Sequence, residues 1–183
     1  MSASSALALL LDPRARLRGR VTIPEGSPLA NVLDKLAKGT EVPRADLVTA
    51  LGTPAGLGLP SYANGKPEGF LFPATYDIEP GTRATQVVAM MTERFGVEAA
   101  ALDLEAGAQQ LRRSAYDVVT VASLIEAETS LDADRAKVAR VVYNRLARGM
   151  ALQLDSTVNY VRTERAARLS NNDIKVDSPY NTY

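Results

Sequence analysis

The fold of this chain depends most on one stretch, Val118-Val119-Thr120-Val121-Ala122-Ser123-Leu124-Ile125-Glu126-Ala127-Glu128-Thr129. It is apolar on nearly every side and holds neither Gly nor Pro, so it predicts a central helix. The preceding Ser114-Ala115-Tyr116-Asp117 has the spacing of a capping box, which marks where the helix begins. At about 100° per residue, its inward stripe consists of Val118, Val121, Ala122 and Ile125.

Two carboxylates, Glu126 and Glu128, lie at the C-terminal end of this helix, where the helix dipole disfavours negative charge. Glu128 extends the inward stripe, and Glu126 lies nearer the flank. We expect a carboxylate at the end of an apolar stripe to be desolvated, with the raised pKa that suits a general acid. Periodicity alone favours the alternative that both are solvated helix-end residues, or ion-pair partners of Arg135, Lys137 or Arg145.

The composition limits the chemistry that these carboxylates could join. The 183 residues include no His and no Cys, and 21 Lys plus Arg balance 21 Asp plus Glu. Catalysis by a His-activated Ser or Cys is therefore excluded, as are metal sites built on His or Cys. General acid–base work falls to Asp, Glu, Lys or Tyr, and the zero net charge argues against a nucleic-acid partner.

The remaining pattern predicts an α+β fold, mainly helical with a few short strands. Val21-Thr22-Ile23 reads as a strand that ends at Pro24-Glu25-Gly26, and an aromatic strand-like stretch covers 70–78. Ser27 is the expected N-cap of a helix that starts at Pro28. Further helices are predicted over 43–51, 82–95, 98–111, 118–128 and 132–148. A helix-turn-helix is disfavoured because the second short helix carries only Arg44 and Asp46 as charges.

Two charge patterns have ordinary structural explanations. Four arginines alternate at period two and predict the solvated face of a strand rather than an anion site: Arg14, Arg16, Arg18 and Arg20. Asp132 and Asp134 could bind a hard cation, but no calcium-loop pattern surrounds them. Acidic residues in the first turn of a helix are the favoured explanation.

Polar and apolar side chains alternate over residues 150–158, so Gln153, Asp155 and Thr157 are expected to share one face. Amide, carboxylate and hydroxyl groups at this spacing suit recognition of sugar hydroxyls. They suit equally a turn followed by an N-cap at Asp155 or Ser156, which is the commoner use of such residues.

These blocks together resemble the YceG-like (MltG) family of endolytic murein transglycosylases. Six segments match the family pattern in order, over about residues 20–183: Val21–Gly26 with Leu33–Leu36, Pro67–Tyr76, Ala122–Thr129, Val141–Leu146, Gly149–Val158 and Ser178–Tyr183. The resemblance implies a YceG-like catalytic domain over 21–183, preceded in 1–20 by the tail of a LysM-like subdomain or a linker. Since the family pattern continues beyond Tyr-Asn-Thr-Tyr, it also implies a domain incomplete at its C-terminus and not fully active alone.

The resemblance implies a lyase that cleaves peptidoglycan glycan strands between N-acetylmuramic acid and N-acetylglucosamine, leaving 1,6-anhydro-muramyl ends. One carboxylic acid suffices, with no metal and no cofactor. The family's Glu-Thr pair assigns that acid to Glu128 rather than Glu126. The residues implied to line or brace the cleft are Glu68, Asn144, Arg145, Gln153, Asp155, Thr157, Tyr180 and Asn181. The alternative is a peptidoglycan-binding or scaffolding module of the same fold without turnover.

The resemblance also implies a setting in the cell. A longer parent protein would be anchored at the outer face of the bacterial cytoplasmic membrane by a single segment absent from this chain. It would act there on glycan strands during cell-wall assembly, beside cell-wall synthases. The 183 residues themselves are expected to be soluble, since their longest apolar run is far too short to span a bilayer.

Overall fold

A computed structural model describes residues 2–11, 19–53, 56–162, 166 and 168–183. The helices are α1 Ala3–Leu11, α2 Leu29–Gly39, α3 Arg44–Leu51, α4 Ala84–Ala101, α5 Leu104–Gln110, α6 Ala115–Glu128, α7 Asp132–Ala147 and α8 Asp155–Val161. The strands are β1 Gly19–Thr22 and β2 Thr75–Ile78, and 3₁₀ turns cover Ser61–Ala63 and Asp173–Lys175. This mainly helical chain with one small sheet confirms the predicted α+β class.

The chain divides into two compact units, residues 1–102 and residues 103–183. Neither unit holds, within its described residues, a helix long and apolar enough to cross a bilayer.

A two-stranded antiparallel sheet lies in the first unit, with Val21 of β1 opposite Tyr76 of β2. Those two side chains are buried, whereas the neighbouring pair Arg20 and Asp77 is exposed and joined by an ion pair of 2.9 Å. Arg20 is therefore exposed, as predicted for each of the alternating arginines. The other three, Arg14, Arg16 and Arg18, lie outside the described residues.

The core of the first unit consists of buried side chains from the sheet and from α2, α3 and α4. The predicted apolar stripe of α2 is confirmed, and its buried residues are Val32, Leu33 and Leu36. The bounds predicted for the helices over 82–95 and 98–111 were less accurate. α4 continues to Ala101, and a residue with positive φ, Asp103 (48°), separates it from α5.

The predicted cap of α2 is wrong. The Ser27 hydroxyl donates to the Pro24 carbonyl (2.7 Å), and Pro28 immediately precedes the helix. Ser27 therefore closes the turn after β1, and the first N–H groups of α2 need another acceptor.

In the second unit, α6 begins at the predicted capping box. The Ser114 hydroxyl accepts the Asp117 N–H (3.0 Å), and the Asp117 carboxylate accepts the Ser114 N–H (3.2 Å). α6 packs against α5, α7 and α8, which agrees with its predicted central place within this unit. Its inward stripe is confirmed only in part. Val121 is buried, Val118 and Ile125 are half-buried, and Ala122 is exposed.

Candidate active site

Glu128 is the last residue of α6, and its carboxylate faces the start of α8. Its Oε1 accepts the backbone N–H of Ser156 over 3.4 Å, a long hydrogen bond. The side chain is exposed, so the expectation that the end of the stripe is shielded from water is wrong. Burial along the stripe declines from Val121 to Ile125, and water consequently reaches the last turn.

The cations suggested as ion-pair partners of the two glutamates are engaged elsewhere. Arg135 contacts Asp132 at 3.3 Å and Lys137 contacts Asp134 at 2.7 Å, both within α7. Arg145 donates to the carbonyl of Leu152. The two aspartates thus serve as first-turn residues of α7, as favoured from the sequence. Within the described residues, no three acidic side chains lie close enough together to hold a metal ion.

A second carboxylate and a phenol lie close to Glu128. The Tyr183 hydroxyl donates to Oδ1 of Asp155, the residue preceding Ser156. This hydrogen bond raises the pKa of Tyr183 above its ordinary value, and partial burial and the charges of Asp155 and Glu128 raise it further. Sequence reasoning did not select Tyr183 as a site residue, although it ends the matched block Ser178–Tyr183.

The ionisation of Tyr183 should report on this cluster directly. In Asp155→Asn we expect the pKa of Tyr183 to fall back towards its ordinary value of 10.0, because the anionic acceptor that stabilises the neutral phenol is gone. The measurement is a titration of tyrosinate absorbance, with Tyr183→Phe as the subtraction that isolates this tyrosine. An unchanged titration in Asp155→Asn would contradict the contact.

The polar face predicted from alternation over 150–158 does not form as expected. α8 begins at Asp155, so the extended pattern stops there and Thr157 turns into the interior, where it is 6% exposed. Its hydroxyl donates to the Leu154 carbonyl (2.7 Å) and shares a hydrogen bond with Thr182 (3.0 Å). Of the three residues predicted to share this polar face, Gln153 and Asp155 have exposed side chains and Thr157 does not.

The predicted N-cap at Asp155 or Ser156 is also wrong, because Leu154 occupies the cap position without a side-chain bond. The Ser156 hydroxyl is buried and has no hydrogen-bond partner among the described residues. Ser156 thus offers its backbone N–H to Glu128, while its side chain stays unpaired.

Two of the residues predicted to line or brace the cleft, Arg145 and Asn181, form side-chain hydrogen bonds to backbone carbonyls. Besides its bond to Leu152, Arg145 accepts the Met150 N–H at its carbonyl (2.9 Å). The Asn181 amide donates to the carbonyls of Ile174 (2.9 Å) and Val176 (2.8 Å). Arg145 and Asn181 therefore hold the loops on either side of α8.

The other two predicted cleft residues of this unit are exposed. Asn144 lies on α7, and Tyr180 is 57% exposed with its ring packed edge-on against Tyr160 at 5.2 Å between centroids. Their contact with a glycan stays a prediction.

Glu68 lies in the first unit and has a structural role there. Both of its carboxylate oxygens accept the N–H of Leu29, at 3.1 and 3.2 Å. Glu68 thus supplies the acceptor that Ser27 does not, and its negative charge suits the positive end of the α2 dipole.

Loss of this cap should weaken the first unit. Glu68→Ala is expected to lower the free energy of unfolding by about 1 kcal/mol, the usual effect of removing a helix cap. Glu68→Gln keeps an acceptor oxygen and should lose less. Urea unfolding followed by circular dichroism measures both variants. Equal losses in the two would mean that the charge, and not the hydrogen bond, carries the stabilisation.

Comparison with known proteins finds a family model and relatives that this chain resembles. The model of the YceG-like family matches residues 1–183. An endolytic murein transglycosylase of Bacillus subtilis is 39% identical over 117 residues, which cover 63% of this chain and 32% of that protein. One of Streptococcus pneumoniae is 32% identical over 121 residues, covering 63% and 22%. The chain therefore matches about a third, or less, of the length of these relatives.

A solved structure shares the fold. A crystal structure described as a yceG-like protein of Listeria monocytogenes superposes with a TM-score of 0.77 at 28% identity. The match covers 100% of this chain and 65% of that one.

Proposed function

Because the chain belongs to the YceG-like family, we propose that it forms part of an endolytic peptidoglycan lytic transglycosylase with Glu128 as its catalytic acid and base. The observation that carries the proposal is the placement of Glu128. It ends a capped helix with its carboxylate exposed to solvent, held by the Ser156 N–H, and close to Asp155 and Tyr183. The names of the Bacillus and Streptococcus relatives support the substrate class.

The proposed reaction uses one carboxyl group twice. Protonated Glu128 gives its proton to the oxygen that links C1 of N-acetylmuramic acid to N-acetylglucosamine, and the C1–O bond breaks with its electron pair on that oxygen. The C6 hydroxyl of the same muramic acid then attacks C1, and its proton passes to the Glu128 carboxylate. The acid is regenerated, no water is consumed, and the product carries a 1,6-anhydro ring.

This route suits a chain without His or Cys. An ordinary glycosidase needs two carboxylates, one as acid and one as base or nucleophile. Here the sugar's own hydroxyl replaces the second carboxylate as nucleophile. Exposure of Glu128 keeps it accessible to a polymeric substrate, and its long bond to Ser156 is of the kind that tightens when a substrate binds.

The products distinguish this reaction from hydrolysis and from simple binding. Purified peptidoglycan is digested with the protein at the full length that its gene encodes, and the fragments are identified by mass spectrometry. Anhydro-muramyl ends are expected. Reducing ends would make the protein a hydrolase, and glycan binding without fragments would make it a binding or scaffolding module. The membrane setting and the synthase partners stay predictions of the family resemblance.

A further inference from the structure

Thr182 holds the segment that leads into α8 by three hydrogen bonds. Its carbonyl accepts the Gln153 N–H (2.8 Å), and its hydroxyl accepts the Leu154 N–H (3.1 Å). The same hydroxyl shares a hydrogen bond with Thr157 (3.0 Å). Since the Thr157 hydroxyl already donates to Leu154, the shared proton comes from Thr182. One side chain thereby satisfies a donor and an acceptor of the segment 153–157.

These bonds act on a turn that needs support. Gln153 has a φ of +49°, a left-handed conformation that costs a residue with a side chain about 1–2 kcal/mol. Such a conformation persists where its surroundings hold it in place, and the Thr182 carbonyl binds the N–H of Gln153 itself. The direction in which the chain enters α8, and with it the position of the Ser156 N–H, depends on this turn.

Thr182 is itself anchored on both sides. Asn181 is fastened by its amide to the carbonyls of Ile174 and Val176, and its side-chain oxygen accepts the Tyr183 N–H (3.1 Å). The Tyr183 hydroxyl then reaches Asp155. Residues 181–183 thus form a strap that binds the α8 entry from Gln153 to Thr157.

We propose that Thr182 is a positioning residue for Glu128: through the turn at Gln153 and Leu154 it places the Ser156 N–H that orients the Glu128 carboxylate. Thr182 need not touch the substrate. The inference rests on the proposed function of Glu128, because a misplacement of about 1 Å in a catalytic group can cost about 10²-fold in rate. Its geometric part can be tested without turnover.

The test compares Thr182→Val, which keeps the shape and loses both hydroxyl bonds, with Thr182→Ser, which keeps the hydroxyl. The first readout is the change in the amide proton shift of Ser156 when Glu128 is replaced by Gln, because this replacement exchanges the carboxylate that accepts the Ser156 N–H for a neutral amide. We call this change the Ser156 response. Thr182→Val should lose most of it and Thr182→Ser should retain it. Thr120→Val is the matched control, because the Thr120 hydroxyl bonds only within α6, to the Tyr116 carbonyl.

Turnover gives the second readout. Thr182→Val should lower kcat for release of anhydro ends by about 10- to 100-fold with little change in KM, whereas Thr182→Ser and Thr120→Val should match the unsubstituted protein. If Thr182→Val does not fold, Thr157→Val is measured in the same way, since it removes the shared hydrogen bond from the other side together with the Thr157 bond to the Leu154 carbonyl. A Ser156 response in Thr182→Val equal to that of the unsubstituted protein would overturn the inference. Absence of anhydro products from the unsubstituted protein, with the Ser156 response intact, would instead refute only the proposed function.

Discussion

Replacing Glu128 by Gln is expected to lower the release of anhydro-muramyl ends by about 10³-fold, within the range that a positioned general acid–base contributes. The amide keeps the size of the side chain and an oxygen that can accept the Ser156 N–H, so the local geometry is retained. What it loses is the proton for the leaving oxygen and the base for the C6 hydroxyl. Both halves of the proposed reaction should therefore fail together, and glycan binding should survive.

Glu126→Gln is the matched control for this experiment. Glu126 lies on the same last turn of α6 and is also exposed, so the two variants differ only in which carboxylate is removed. We expect near-normal release of anhydro ends from Glu126→Gln. A large loss there, with normal activity in Glu128→Gln, would transfer the catalytic role to Glu126. Normal activity in both variants would mean that neither Glu126 nor Glu128 is the catalytic acid.

The largest effect on stability is expected at Phe70. Its side chain is 1% exposed and packs between two aromatic rings, edge-on to Phe95 at 5.0 Å and tilted against Tyr62 at 6.0 Å. Phe70→Ala removes the ring and leaves a cavity, which should cost about 3–5 kcal/mol. Hydrogen exchange of the α4 amides, which belong to the same unit, measures this loss locally.

Phe72→Ala serves as the comparison for Phe70. Phe72 is only half-buried and lies beneath the guanidinium of Arg94, 5.8 Å from its ring centroid. Truncation of Phe72 should leave a smaller buried cavity, so the free energy of unfolding should fall clearly less than in Phe70→Ala. Equal losses at the two positions would mean that burial does not control stability in this stretch. Hydrogen exchange of the α6 amides, which belong to the second unit, should change little in Phe70→Ala or in Phe72→Ala.

Much of the local structure could be predicted because its determinants lie within one helical turn. The capping box joins Ser114 to Asp117, three residues apart, and α6 starts and ends as its pattern predicts. The buried stripe of α2 repeats at the helical period. Errors arose where a local signal met a competing contact. Ser27 bonds back to Pro24, and the alternation after Met150 gives way to α8.

The sequence alone determined which side chains are available for acid–base chemistry in these 183 residues and where two of them would lie. The chain has no His or Cys, and the end of its most apolar capped helix carries Glu126 and Glu128. Periodicity and capping operate over a few residues, so they could locate these carboxylates, whereas the catalytic role of Glu128 is implied by the family resemblance and stays a prediction.

Only the tertiary structure decided what those side chains meet. The Glu128 carboxylate accepts a hydrogen bond from the N–H of Ser156, 28 residues away in the sequence, and Asp155 accepts one from the hydroxyl of Tyr183, also 28 residues away. Glu68 accepts the N–H of Leu29, 39 residues earlier in the chain, and its predicted part in lining or bracing the cleft stays a prediction. Contacts at such distances depend on the path of the chain between packed elements. No local pattern encodes that path, because it results from the burial of many side chains at once.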